Sequence, residues 1–198
     1  MNETDQYKMP DSPKNDLIFV TGGAASGKSR LAEQIVRARG KPKTYIATLQ
    51  PFDAEMQAKT EKHQLDRGSD WTTIEAPIDV AQVLGSVAAD HVILLDCVTL
   101  WLSNVLLAEM DVDQACDAMM NALLTCPCDV VVVSNEVGMG IVPDNALSRK
   151  FRNAQGKLNQ MIAAKADTVL TVISGLPLVL KGSYDPVSAT HVFPAGKV

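Results

Sequence analysis

The sequence predicts an α/β fold in which a mostly parallel sheet is flanked by helices. Two observations carry this prediction. Strand-like segments alternate with helix-like segments along the chain, and this order gives parallel strands joined by right-handed crossovers. Two of the strand-like segments, residues 91–96 and 129–134, are continuous apolar runs, a pattern typical of strands covered on both faces. The chain of 198 residues is long enough for one such domain.

The predicted elements begin at Leu17. An apolar strand at residues 17–21 ends at a glycine pair, and a helix with apolar residues at helical spacing follows at residues 28–39. Further strands are predicted at residues 43–48, 71–77 (an edge strand that ends at Pro77), 91–96, 129–134, 168–174 and 178–180. Further helices are predicted at residues 54–67 (polar and on the surface), 99–109, 112–125 and 145–166. We expect a disordered leader at residues 1–16, a single domain at residues 17–182 and a C-terminal tail at residues 183–198.

Composition limits the classes of function. The chain is 46% hydrophobic and 21% charged, and its longest apolar run is interrupted by Asp96 and Asn104, so no membrane span is predicted. The polar N-terminus lacks the apolar core of a signal peptide, and we expect a cytoplasmic protein. A net charge of −5 argues against nucleic acid as the main partner.

The four cysteines are Cys97, Cys116, Cys126 and Cys128. They lie among apolar residues and have no partner pair or histidine at zinc-site spacing. We therefore expect reduced thiols with no metal.

A phosphate-binding loop follows the first predicted strand. Its residues match the pattern G-x-x-x-x-G-K-[ST] and lead directly into the first predicted helix, which is the context that the motif requires. Backbone amides of the loop would converge on phosphates, Lys28 would reach the β and γ oxygens as a solvated charge, and the Ser29 hydroxyl would bind Mg²⁺. The loop consists of Gly22, Gly23, Ala24, Ala25, Ser26, Gly27, Lys28 and Ser29.

Two acidic residues end predicted strands. Asp96 closes "VILLD" and Glu136 follows "VVVVSN", so each would reach the carboxyl edge of the sheet, where ligands bind in this class of fold. A magnesium ion bound by Ser29 needs such a carboxylate, and Asp96 is the main candidate. Either acid could instead cap the helix that follows it.

One of the three histidines stands in a distinctive setting. His63 precedes Arg67 by four residues on a predicted polar helix, which places imidazole and guanidinium on one face. From spacing alone, a solvated surface histidine remains an alternative. His91 opens a strand and His191 lies in the tail, and we expect no function for either.

Several segments together resemble one known family. They are "TGGAASGKS", "YIAT", "DAEM", the His63 and Arg67 pair followed by "WTTIE", "LLDCVTLWLSN" and, most specific of all, "SNEVGMGIVPDNALSRKFRNAQGKLNQ". In order, from about residue 17 to 181, they resemble the bifunctional adenosylcobinamide kinase/adenosylcobinamide-phosphate guanylyltransferases of cobalamin biosynthesis. The resemblance implies a RecA-like P-loop fold, phosphorylation of adenosylcobinamide, and transfer of GMP from GTP onto that phosphate through a guanylylated histidine. The resemblance also implies that ATP and GTP are substrates. It implies a homo-oligomer as well, since members of the family form trimers.

The resemblance assigns roles to individual residues. His63 matches the guanylylated histidine, and the phosphate loop is the one described above. Nucleotide contacts are implied for Ala47, Thr48 and Leu49, for Gln64, Leu65, Asp66 and Arg67, and for the acids Glu75 and Asp96. One departure is Ala25, which stands where the family usually has arginine and so removes a contact to phosphate.

The two reactions differ in the phosphorus that is attacked. Attack at the γ-phosphorus gives a kinase, whereas attack at the α-phosphorus by a neutral imidazole gives a covalent phosphoramidate and releases pyrophosphate. Two alternatives remain at this point: a plain P-loop kinase in which His63 is inert, and a non-catalytic RecA-like module that binds nucleotide and partners. The second would need an extended basic or apolar partner surface, and the chain has no basic run beyond "ARGKPK".

Overall fold

A computed structural model describes residues 15–49 and 68–185 of the chain. Its strands form one sheet in the order β3-β2-β4-β5-β1-β6-β7, in which all neighbours are parallel except β6 and β7. The strands are β1 (Leu17–Gly22), β2 (Lys43–Ala47), β3 (Trp71–Glu75), β4 (Val92–Asp96), β5 (Asp129–Val133), β6 (Thr168–Ile173) and β7 (Leu176–Lys181). The helices are α1 (Lys28–Ala38), α2 (Val80–Leu84), α3 (Val98–Leu107), α4 (Val112–Thr125) and α5 (Ala146–Lys165).

Helices cover both faces of the sheet, and alternate residues of each central strand pack on opposite sides. On β1, Ile18 and Val20 pack with the apolar side of α1, whereas Leu17 and Phe19 pack with the larger cluster that includes α2 to α5. The central strands are buried along nearly their whole length, which explains their continuous apolar sequences. The predicted fold class, α/β with a mostly parallel sheet flanked by helices, is confirmed.

Two elements differ from the prediction. Helix α2 was not predicted from the sequence. The last strand is longer than expected and pairs antiparallel with β6 through a two-residue turn. Ser174 (φ 52°) and Gly175 (φ 82°) both have positive φ, as the tightest hairpin turns require. The helix predicted at residues 54–67 lies outside the described residues.

All four cysteines are free and buried. Burial raises the pKa of Cys97 and of Cys116 to about 11 and that of Cys128 to about 12, so these thiols stay protonated at neutral pH. Within residues 15–49 and 68–185, no helix has the length and hydropathy needed to cross a bilayer.

Candidate functional site

The phosphate loop connects β1 to α1 and depends on glycine at two positions. Gly22 (φ 154°) and Gly27 (φ 96°) have backbone conformations that other residues rarely adopt. A β-carbon on Gly22 would lie 2.6 Å from the carbonyl oxygen of Val172 and 2.7 Å from Ser26 Oγ. The first glycine of the motif therefore lets the loop lie directly against β6.

Lys28 is not the solvated charge that we expected. Its side chain is only 7% exposed, and its Nζ donates a hydrogen bond of 3.0 Å to the carbonyl oxygen of Gly23. The start of α1 lies under the loop, so the aliphatic stem packs while the ammonium curls back toward the loop backbone. Among the described residues its hydrogen-bond partner is this carbonyl and not a carboxylate, which leaves the positive charge available to an anion.

The turn between β6 and β7 supports the loop from the side. The Gly175 amide donates to the Ser26 carbonyl oxygen at 2.9 Å, and a β-carbon on Gly27 would lie 3.4 Å from Gly175 Cα. Two hydroxyls here, Thr21 Oγ1 and Ser26 Oγ, are buried and have no hydrogen-bond partner among the described residues. Buried polar groups are normally satisfied, so both hydroxyls are available to a ligand or water.

The parallel register brings the predicted acids to one edge of the sheet. Glu75 on β3 pairs with Ala47 on β2, and Ala47 pairs in turn with Asp96 on β4. Asp96 pairs with Val133 on β5, which pairs with Val20 on the strand that enters the phosphate loop. Residues far apart in sequence thus lie in one row across the carboxyl edge.

Asp96 is half-buried at the end of β4, and Tyr45 Oη donates to its carboxylate at 3.4 Å. The N-cap position of α3 is held by Cys97, whose side chain makes no capping hydrogen bond. No group of three or more His, Cys, Asp or Glu that could enclose a metal occurs in the described parts of the chain. Mg²⁺ bound with substrate phosphates and water needs only one or two carboxylates, so Ser29 and Asp96 fit that mode of binding.

Thr48 has a structural role that the sequence did not indicate. Its hydroxyl accepts a hydrogen bond from the Cys97 amide at 2.9 Å and donates one to the Cys97 carbonyl oxygen at 2.8 Å. The Asn104 side chain donates to the carbonyl oxygens of Thr48 and Pro77. These bonds tie together the chain segments that leave β2, β3 and β4, with Leu49 half-buried beside them.

A buried polar network beneath the end of β5 was also missed. Ser134 Oγ donates to Asn159 Oδ1 at 2.6 Å, and Gln155 Nε2 donates to both of these oxygen atoms at 2.9 Å. Thr99 Oγ1 lies 3.4 Å from Ser134 Oγ and accepts the Asn135 amide at 2.8 Å. The only signal in the sequence is the spacing of Gln155 and Asn159, one helical turn apart on α5.

Glu136 follows this network and does not cap α5. The helix begins ten residues later, and its N-cap is Asn145, whose side chain accepts the Ser148 amide at 2.7 Å. The Glu136 amide instead donates to the carbonyl oxygen of Gly22 at 2.9 Å. The backbone of Glu136 is therefore bonded to the first residue of the phosphate loop.

The remaining predicted site residues lie outside the described residues: His63, Gln64, Leu65, Asp66 and Arg67. His191 lies outside them as well. His91 is described, and its Nδ1 is 2.8 Å from the hydroxyl of Thr44, a contact at the opposite end of β4 from Asp96.

A solved structure shares the fold. A Pyrococcus horikoshii OT3 protein, solved as Project ID PH0250, matches with a TM-score of 0.52 at 10% identity, covering 92% of this chain and 94% of that one. A RadB recombinase matches with a TM-score of 0.46 at 16% identity, covering 85% of this chain and 82% of that one. At 10% identity, the similarity to the Pyrococcus horikoshii protein shows a shared fold and nothing more.

Sequence relatives are much closer. The bifunctional adenosylcobalamin biosynthesis protein CobP of Pseudomonas aeruginosa is 44% identical over 172 residues, covering 84% of this chain and 97% of the relative. The bifunctional adenosylcobalamin biosynthesis protein CobU of Salmonella typhimurium is 40% identical over 182 residues, covering 83% and 99%. Residues 18–180 match a family described as cobinamide kinase / cobinamide phosphate guanyltransferase. The chain, with its phosphate loop and the acids aligned beside it, therefore belongs to the cobinamide kinase / cobinamide phosphate guanyltransferase family.

Proposed function

We propose that this protein phosphorylates adenosylcobinamide and then transfers GMP from GTP onto the new phosphate, giving adenosylcobinamide-GDP. The observation that carries the proposal is a complete phosphate-binding loop in a chain whose relatives, at about 40% identity and nearly full coverage, are named as bifunctional. Buried Lys28, with its ammonium free of carboxylate partners among the described residues, suits a site that receives a polyphosphate.

In this proposal the loop 22–29 binds the nucleotide phosphates. Amides at the start of α1 and the Lys28 ammonium offset the charge that develops on the transferred group, since phosphoryl transfer depends mainly on positioning and electrostatics. Ser29 and Asp96 would hold Mg²⁺, which when bound neutralises charge on the phosphate oxygens. Ala47 and Glu75 lie in the same row as Asp96, and Thr48 and Leu49 follow Ala47 directly. These four residues would contact the nucleotide.

The guanylyl transfer is assigned to His63, with Gln64, Leu65, Asp66 and Arg67 as neighbouring nucleotide contacts. A neutral imidazole nitrogen would attack the α-phosphorus of GTP, forming a P–N bond and releasing pyrophosphate. A phosphate oxygen of adenosylcobinamide phosphate would then attack the same phosphorus and free the histidine. Arg67 would offset the charge on the phosphates in both steps.

We also propose that residues 17–182 form one functional domain and that the protein is a cytoplasmic homo-oligomer. The family resemblance supports the oligomer. Leucines exposed on β7 at positions 176, 178 and 180 agree with it, because an exposed apolar edge strand favours association.

The test is to incubate the purified protein with adenosylcobinamide, Mg²⁺ and either ATP or GTP and to identify the corrinoid products by mass spectrometry. We expect adenosylcobinamide phosphate first and adenosylcobinamide-GDP when GTP is present. Formation of the phosphate alone would support a plain kinase, and the absence of both products would contradict the proposal.

A further inference from the structure

We propose that Glu136 is the general base of the kinase half-reaction, accepting the proton of the substrate hydroxyl as that oxygen attacks the γ-phosphorus. This inference rests on the proposed function. It assigns a role to an acid beside the phosphate loop that does not cap α5 and that has no role when Ser29 and Asp96 hold Mg²⁺.

The position of Glu136 follows from the order of the strands. Strand β5 lies between β1, which enters the phosphate loop, and β4, which ends at Asp96. The β1–β5 ladder continues past the last paired strand residues, since the amides of Ser134 and Glu136 donate to the carbonyl oxygens of Val20 and Gly22. Glu136 therefore stands at the carboxyl edge between the loop and Asp96, on the side where a γ-phosphate would be placed.

The buried network holds this position rigidly. The Asn135 amide donates to Thr99 Oγ1 at 2.8 Å, and its carbonyl oxygen accepts the Asn159 side chain at 3.2 Å. Thr99, Ser134, Gln155 and Asn159 are all at most 7% exposed. Both backbone groups of the residue before Glu136 are thus fixed to α3 and α5, and catalytic groups need support of this kind to keep their geometry.

Glu136 is half-buried, and its carboxylate makes no hydrogen bond or ion pair with the side chains and backbone in the described ranges. It extends over Gly138, where a β-carbon would lie 3.4 Å from Glu136 Oε1. By contrast, the carboxylate of Asp129, at the amino end of β5, is paired with Lys41 at 2.8 Å. An unpaired carboxylate with a rigid backbone beside the loop has both oxygen atoms available to accept a proton.

Transfer of the γ-phosphoryl group needs no reactant besides the nucleotide and the corrinoid. The hydroxyl oxygen of the corrinoid side chain forms a bond to the γ-phosphorus, and its proton moves to a Glu136 carboxylate oxygen. The bond between the γ-phosphorus and the bridging oxygen breaks, and the nucleoside diphosphate leaves with that electron pair. Glu136 then returns the proton to solvent. General base catalysis of this kind contributes roughly 10²–10⁴-fold to a rate.

The experiment compares Glu136→Gln with the parent protein and with Asp144→Asn, a control that removes an exposed carboxylate from the same connection between β5 and α5. Three quantities are measured: kcat and KM for phosphorylation of adenosylcobinamide, affinity for nucleotide with Mg²⁺, and guanylyl transfer onto supplied adenosylcobinamide phosphate. We expect Glu136→Gln to lower the kinase kcat by roughly 10²-fold or more. Nucleotide affinity and guanylyl transfer should match the parent, and retained transfer shows that the variant is folded.

Three outcomes would overturn the assignment. The first is a kinase kcat within a few fold of the parent. The second is a loss of nucleotide affinity that excess Mg²⁺ restores, which would make Glu136 a metal ligand. The third is an equal loss in Asp144→Asn. If the parent protein makes no adenosylcobinamide phosphate, the proposed function itself is wrong. If the parent and Glu136→Gln are equally active, only the assignment of Glu136 is wrong.

Discussion

Lys28 has two roles, packing of its aliphatic stem and the positive charge of its ammonium, and the motif alone does not separate them. Its stem is buried at the start of α1, and its ammonium bonds the Gly23 carbonyl oxygen. Lys28→Met keeps the packing of the stem but removes the charge. We expect this variant to lower kinase turnover by about 10²–10³-fold, a loss typical of one missing donor to a charged transition state. Its thermal midpoint should stay close to that of the parent, and normal turnover in a folded variant would refute the role.

Glycine is required at position 22 because β6 lies close to it, as well as because of its backbone conformation. A β-carbon would lie 2.6 Å from the Val172 carbonyl oxygen on β6. We expect Gly22→Ala to lower the free energy of unfolding by about 1–3 kcal/mol, as overpacking and backbone strain do. Urea unfolding followed by circular dichroism measures the change. Gly23→Ala is the matched control, because no atom lies within 4 Å of its β-carbon position, and an equal effect in both variants would contradict the explanation.

At the scale of the elements, Asp129 joins the amino ends of β1 and β5. Its carboxylate accepts the Asp16 amide at 3.0 Å and Lys41 Nζ at 2.8 Å, with Arg39 nearby. Burial acts to raise the pKa of Asp129, but the bonds from Lys41 and Asp16 and the attraction of both cations outweigh it, so the pKa is lowered. Asp16, which the sequence analysis placed in the leader, is thus bonded to the domain.

The lowered pKa of Asp129 makes the free energy of unfolding depend on pH. A carboxyl group whose pKa is lower in the folded state stabilises the fold above its unfolded pKa, about 3.8, and this contribution is lost as pH falls through the folded value. We expect Asp129→Asn to cost about 1–3 kcal/mol at pH 7. The difference from the parent should shrink as urea unfolding is repeated from pH 5 down to pH 2. A difference that stays constant over this range would contradict the assignment.

The elements that sequence analysis predicted are those whose own residues determine them. Strands β1, β4 and β5 are continuous apolar runs because both faces are covered, and the phosphate loop is a local motif. Helix α2 has five residues, too few to show a helical period. Strand β7 is exposed at every position except Pro177, and its hairpin depends on Ser174 at positive φ, where glycine or asparagine would have been the signal. The network of Thr99, Ser134, Gln155 and Asn159 joins segments far apart in the chain. Its one local signal, the spacing of Gln155 and Asn159, does not reveal the partners.

At the scale of the whole molecule, two transfers must share one chain of 198 residues. The described part of the chain supplies a phosphate cradle, the acids Glu75, Asp96 and Glu136, and a rigid polar support at one edge of the sheet. The proposed nucleophile of the second transfer, His63, belongs to a segment outside the described residues. A kinase needs only the cradle and a positioned hydroxyl, so loss of His63 should separate the two activities.

The most direct test uses GTP labelled at the α-phosphate, given to the parent protein and to His63→Ala. The parent should carry label through denaturing electrophoresis, and the label should be acid-labile and alkali-stable, as a phosphoramidate is, and map to the peptide that contains His63. His63→Ala should carry no label and form no adenosylcobinamide-GDP, yet still phosphorylate adenosylcobinamide. Label on neighbouring Lys62, or full guanylyl transfer by His63→Ala, would contradict the covalent histidine mechanism.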